Sequence, residues 1–174
     1  MLIAGTGRKV GKTTLVCQLI RQTAIIHKVT AIKISPHFHE QAAGQKFIAQ
    51  TPGYLIIEET NPGTGKDSSR MLAASADRVF YIQTNDRNIQ VPLTLIFDLI
   101  PSTQPVICES GALLQYAQPG LFLLVNRKGE TSLKKGMENL AYAADANVIF
   151  DGKGFEPDVS QFQFDGTRWI KMEE

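Results

Sequence analysis

The chain has 174 residues, 43% of them hydrophobic, and 18 Lys and Arg against 17 Asp and Glu leave a formal charge of +1. That length suits one domain, and the apolar fraction is enough to form a core, which excludes a disordered chain. Near-neutrality excludes DNA, RNA or an anionic membrane as a bulk electrostatic partner, while leaving room for a local basic cluster.

In chain order, Leu2-Ile3-Ala4 predicts a short strand ended by Gly5. A glycine-rich stretch follows, and from Lys12 the spacing of Leu15, Val16, Leu19, Ile20 and Ile26 predicts a helix with one apolar face. Val29–Ile34 reads as a buried strand stopped at Ser35-Pro36. Phe47-Ile48-Ala49 and Tyr54–Ile57 flank Thr51-Pro52-Gly53, the signal of a hairpin over about 46–59. Gly63-Thr64-Gly65-Lys66 predicts a mobile loop, and Asp67 to Ala76 a short helix capped by Asp67 or Ser68. Arg78–Gln83 is a strand, Leu93, Ile96, Phe97 and Ile100 a helical pattern after Pro92, and Pro105–Cys108 and Leu121–Val125 two more strands. Lys134–Ala144 reads as a helix and Val148–Phe150 as the last core strand. Asp165-Gly166 between Phe164 and Trp169 predicts a C-terminal hairpin over about 159–171. Alternation of strands and helices predicts one α/β domain, 1–174, with a mostly parallel sheet, helices on both faces and the two hairpins as decorations.

Cys17 and Cys108 are far apart in sequence, which excludes a disulfide framework or a cysteine zinc site and suits a reducing cytosol. No apolar run approaches the ~18 residues of a membrane span, and Met1–Gly5 has no basic and apolar regions of a signal peptide. A cytoplasmic protein is therefore expected.

The strongest motif is Gly5-Thr6-Gly7-Arg8-Lys9-Val10-Gly11-Lys12-Thr13-Thr14, between a predicted strand and a helix. Glycines let backbone N–H groups curl around an anion, and the helix start adds unpaired donors and a positive dipole end. Such a loop predicts a P-loop NTPase fold. Gly5, Gly7, Arg8, Lys9, Val10, Gly11, Lys12, Thr13 and Thr14 would then hold the phosphates, with the Lys12 charge on the β- and γ-phosphates and the Thr13 hydroxyl on Mg²⁺. The strict G-x4-G-K-[ST] spacing puts Thr6, not a glycine, at its first position.

Mg²⁺ also needs carboxylates. Glu109, at the end of a predicted central strand, points into the crevice where α/β proteins bind ligands. Asp67, at the start of a predicted helix, is the second candidate, with an ordinary N-cap as its alternative. Lys33 ends a strand beside the loop and is, with Lys12, a candidate catalytic cation. Lys66 could approach a phosphate. Asn126, after a predicted strand, is a candidate base contact, and no Asp near Gly129 is present to select guanine, so GTP and ATP both stay open. His37 and His39 form an H-x-H pair without a third metal ligand in view. The tail aromatics and the 46–59 hairpin are candidates for packing or for contact with a second copy.

Three segments together resemble the MobB family, GTP-binding adapters of molybdopterin-guanine dinucleotide biosynthesis: Gly11-Lys12-Thr13-Thr14-Leu15, Ala31-Ile32-Lys33 followed by His37 and His39, and Gly65-Lys66-Asp67-Ser68-Ser69-Arg70 leading to Ala74-Ser75-Ala76. The similarity covers most of residues 1–125. It implies GTP binding with Mg²⁺, weak hydrolysis, a homodimer and a cofactor-biosynthesis protein as partner. The loop also resembles, more distantly, that of dethiobiotin synthetase, whose Mg²⁺ ligands correspond to Thr13, Asp67 and Glu109. The family's Lys-His pair is Lys33-Ile34 here, and Ser75 stands where the family has glycine. Expected, then, is an Mg²⁺-dependent purine nucleotide protein with slow or partner-dependent hydrolysis. A small-molecule kinase or ligase and a non-enzymatic adapter with a degenerate loop are the alternatives.

Overall fold

Runs of Ile, Val and Leu too apolar for any solvated face dictate the centre of the molecule. The computed structural model describes residues 1–38, 45–85, 88–130 and 138–172. Its strands are β1 (Leu2–Gly5), β2 (Thr30–Ser35), β3 (Gln45–Thr51), β4 (Tyr54–Glu59), β5 (Arg78–Thr84), β6 (Val106–Glu109), β7 (Phe122–Arg127), β8 (Ala146–Phe150), β9 (Phe155–Glu156), β10 (Phe162–Phe164) and β11 (Trp169–Lys171). The α-helices among the described residues are α1 (Lys12–Thr23), α2 (Asp67–Ala73), α3 (Gln90–Phe97) and α4 (Glu138–Ala143). None is long and apolar enough to cross a membrane.

The first nine strands form one sheet in the order β3-β4-β5-β2-β6-β1-β7-β8-β9. The six central strands, β5 to β8 in that order, run parallel, and both edges are antiparallel. The fold is thus α/β with a mixed, mostly parallel sheet. Alternate side chains of each central strand enter two cores, as burial on both faces demands. Ile3, Ala31, Val79, Ile107, Leu123 and Val148 meet α1 and α2 on one face. Leu2, Ile32, Phe80, Cys108, Phe122 and Leu124 meet α3 and the Leu140–Ala141 side of α4 on the other.

From β1 the chain winds through β2 toward one edge, and it later returns to build β7 and β8 on the opposite side of β1. The reversal opens a crevice at the carboxyl ends of β1 and β6. Every element found by motif or periodicity lies within a few residues of its predicted span where described; residues 131–137 of the predicted 134–144 helix lie outside the described residues.

Several expectations need correction. The 46–59 hairpin is no decoration: β4 buries Leu55, Ile56 and Ile57 and pairs with β5, so the hairpin is the edge of the main sheet. Its outer strand β3 is largely polar and carries Lys46, features that discourage edge pairing. The C-terminal hairpin is β10–β11. It lies on the α1 face, where Phe162 and Trp169 are buried and the Trp169 indole donates to the Val106 carbonyl at 3.1 Å. β8 is the last core strand, and the two-residue β9 pairs with it at the sheet edge. Ile26 is 81% exposed: α1 stops at Thr23, whose carbonyl accepts from the Ile26 and His27 amides and turns the chain off the helix axis. The residue at the N-cap of α2 is Lys66, so neither Asp67 nor Ser68 takes that place. In the 63–65 loop the Gly63 amide donates to Asn61 Oδ1 and the Thr64 amide to Ser69 Oγ. Ser75, just beyond α2, has φ +76°, which explains why glycine suits that position.

Cys17 and Cys108 are both buried, and burial raises both thiol pKa values, that of Cys108 to about 12. Neither thiol is therefore expected to react with Ellman's reagent at pH 8 in the native protein, and both are expected to react in denaturant. A fast native-state thiol would contradict this packing.

Candidate functional site

The loop between β1 and α1 is shaped by its close approaches. A Cβ on Gly5 would come within 2.8 Å of the Lys12 stem, so glycine here lets that side chain fold back over the loop. Lys12 Nζ donates to the Gly7 carbonyl at 2.6 Å. Gly11 has φ +103° and would clash with the Phe150 ring at 2.7 Å if it carried a Cβ. Thr6 is buried, and its amide donates to the Val125 carbonyl of β7, so the residue that breaks the glycine spacing fastens the loop to the sheet. Gly11 caps α1 without a side-chain hydrogen bond, and no acid lies in the first turn. The first turn of α1 therefore meets the loop with no side-chain cap.

Two parallel ladders bring distant residues to that space. Lys33 of β2 stands opposite Glu109 of β6 in register. Glu109 has a 2% exposed side chain; its Oε2 accepts from Thr13 Oγ1 at 2.9 Å, and its Oε1 accepts from Lys33 Nζ. Lys33 Nζ also pairs with Asp67 Oδ2 at 3.1 Å. On α2, Arg70 follows Asp67 by one turn, contacts its carboxylate at 3.7 Å and donates to Thr14 Oγ1 at 3.4 Å. Burial opposes the charge on Lys33, but the Glu109 and Asp67 carboxylates outweigh it and hold its pKa above the usual lysine value.

These groups line one cavity of about 490 Å³. Arg8, Lys9, Lys12, Lys33 and Arg70 line it together with Asp67 and Glu109, so a nearly neutral chain concentrates positive charge there. Hydroxyl and carboxylate oxygens of Thr13, Glu109 and Asp67 are the donor type magnesium takes. Of the candidate site residues, Arg8, Lys9, Gly11, Lys12, Thr13, Thr14, Lys33, Asp67 and Glu109 line this cavity. Gly5 and Gly7 border an adjoining one of about 380 Å³. The Val10 side chain is fully buried in the core, which leaves only its backbone to face the loop.

Asn126 is not among the lining residues. Its neighbour Arg127 instead donates to the Lys9 carbonyl at 3.2 Å, and Phe150 of β8 forms the wall on that side. Lys66 lines a separate pocket of about 400 Å³ shared with Lys33, Asp67 and Tyr81. His37 lies near the loop, and His39 lies outside the described residues. Among the described residues no three His, Cys, Asp or Glu side chains converge on a metal site. Arg70 and Phe150 are members that motif reading missed. The helical spacing of Arg70 from Asp67 and the strand-end position of Phe150 are the signals that point to them. Comparison of the chain with models of known families, with curated proteins and with solved structures finds no match.

Proposed function

We propose that the chain is a P-loop protein that binds a purine nucleoside triphosphate with Mg²⁺. The observation that carries this reading is the 2.9 Å hydrogen bond from Thr13 to Glu109, directly behind Lys12 and the uncapped start of α1. A hydroxyl and a carboxylate of the kind that binds metal, next to a helix start of the kind that binds anions, support the reading. The α1 amides and Lys12 hold the phosphates. Thr13, Glu109 and Asp67 would hold Mg²⁺, which supplies charge neutralisation at the β- and γ-phosphates. Lys33 and Arg70 add cations at the same end. Both lining carboxylates are engaged with cations or hydroxyls, so neither is a free general base, and hydrolysis is slow and rests on electrostatic stabilisation. The MobB resemblance extends the proposal to a homodimeric adapter in molybdenum cofactor biosynthesis, with the nucleotide serving a partner protein.

Thermal melts with Mg²⁺ and GTP, ATP or tripolyphosphate test the binding. Ligand at a hundred times its Kd adds about 2.7 kcal/mol, which for a chain of this size raises Tm by roughly 5–10 °C. An unchanged Tm with all three rejects the reading. One observation favours a second reading, transfer to a small acceptor: the 400 Å³ pocket shares Lys33 and Asp67 with the phosphate cavity. Product analysis with ATP and candidate acceptors separates the two.

A further inference from the structure

The charged and hydroxyl groups of the cavity share it with one aromatic wall, Phe150. Along the carboxyl edge of the sheet the order is Lys33 on β2, Glu109 on β6, the loop after β1, Arg127 on β7 and Phe150 on β8. Glu109 and Phe150 are thus three strand spacings apart, roughly 14 Å at about 4.8 Å each. That is the scale on which a nucleoside triphosphate separates its terminal phosphate from its base.

Phe150 is fixed in place. Its ring is half-buried, lies against the glycine that starts α1 and is stacked on Phe155, with centroids 4.8 Å apart and planes inclined by 28°. Its carbonyl accepts from the Lys128 amide at 2.9 Å, and its backbone pairs with Arg127 on one side and Phe155 on the other. A phenyl ring so braced needs no rearrangement to receive a second flat π-system. Arg127, bonded to the Lys9 carbonyl, closes the loop crest next to it. Among the described residues that line the cavity, Phe150 carries the apolar side chain.

We propose that Phe150, braced by Phe155, is the platform on which the base of the bound nucleotide stacks. This inference rests on the nucleotide reading above. Stacking uses the π-face that every base presents, so the platform strengthens GTP and ATP binding alike and favours the larger purine face over a pyrimidine.

The test compares Mg²⁺ complexes of GTP, ATP, CTP and tripolyphosphate by calorimetry on the parent, Phe150→Leu and Phe150→Trp. Leucine keeps bulk against Gly11 and Phe155 and removes the π-face. Phe150→Leu is expected to weaken GTP and ATP about tenfold or more while leaving tripolyphosphate within about twofold. CTP should bind the parent more weakly than either purine. Phe150→Trp should keep nucleotide binding and show indole quenching with GTP and ATP, but not with tripolyphosphate. If tripolyphosphate binds the parent as tightly as the nucleotides do, or if Phe150→Leu affects all ligands equally, the platform is overturned and the phosphate site stands. If none of the ligands binds the parent, the phosphate site itself is rejected and the platform with it.

Discussion

Replacing Lys12 by alanine is expected to abolish triphosphate binding while leaving the fold intact. The Lys12 side chain leaves the first residue of α1, crosses Gly5 and ends on the Gly7 carbonyl, so its ammonium lies over the loop. A neutral carbonyl is a weaker partner for it than a phosphate oxygen. Hydrogen bonds to charged groups contribute about 1.5–3 kcal/mol each, so loss of contacts to two phosphates weakens binding by 100-fold or more. The apo Tm should move little, because the side chain is only partly buried and its ammonium rests on a loop carbonyl. Calorimetry beside a thermal melt reads both quantities, and unchanged affinity would reject the site. Gly5→Ala supplies an independent arm. Its Cβ would intrude to 2.8 Å on the same lysine stem, so it should weaken binding without removing any charge.

The loop was legible because its signal is local. Seven residues, Gly5 to Gly11, carry the glycines, and the lysine and threonines follow at once, so no knowledge of the fold is needed to place an anion there. Asp67, Glu109 and Lys33 were legible only as strand or helix ends facing a crevice. Their mutual contacts were not, because these depend on β6 inserting between β1 and β2, a fact of strand order separating Lys33 from Glu109 by 76 residues. Strand order also hid the status of the 46–59 hairpin. Its two strands announce themselves through Thr51-Pro52-Gly53, but the partner that turns a hairpin into a sheet edge is β5, more than twenty residues on. Ile26 misled for the opposite reason. An apolar residue in helical register looks buried, yet the chain leaves the helix at Thr23 before reaching it. Thr6 shows how a motif departure can be structural: a residue whose side chain is buried does not obstruct a loop that works through its backbone.

Replacing Lys33 by methionine should destabilise the protein. Glu109 has a 2% exposed side chain, and in the parent its charge is held by Lys33 and the Thr13 hydroxyl. Methionine preserves the stem's packing and removes the cation, leaving an uncompensated buried carboxylate at a cost of about 3 kcal/mol, or roughly 6–12 °C in Tm for a chain of this size. Asp67 is half-exposed and keeps Arg70, so it adds little to this loss. The double variant Lys33→Met/Glu109→Gln removes both charges and lets Thr13 donate to an amide oxygen, so it should regain most of the loss, because a buried pair replaced by neutral groups is often isoenergetic. It should not regain Mg²⁺-dependent nucleotide affinity, since the carboxylate assigned to the metal is gone. Urea titrations of the parent and the two variants at pH 7, beside nucleotide binding with and without Mg²⁺, separate the two roles of Glu109. A Lys33→Met protein as stable as the parent at pH 7 would show that the pair is not coupled, and a double variant with full Mg²⁺ dependence would move the metal to other ligands.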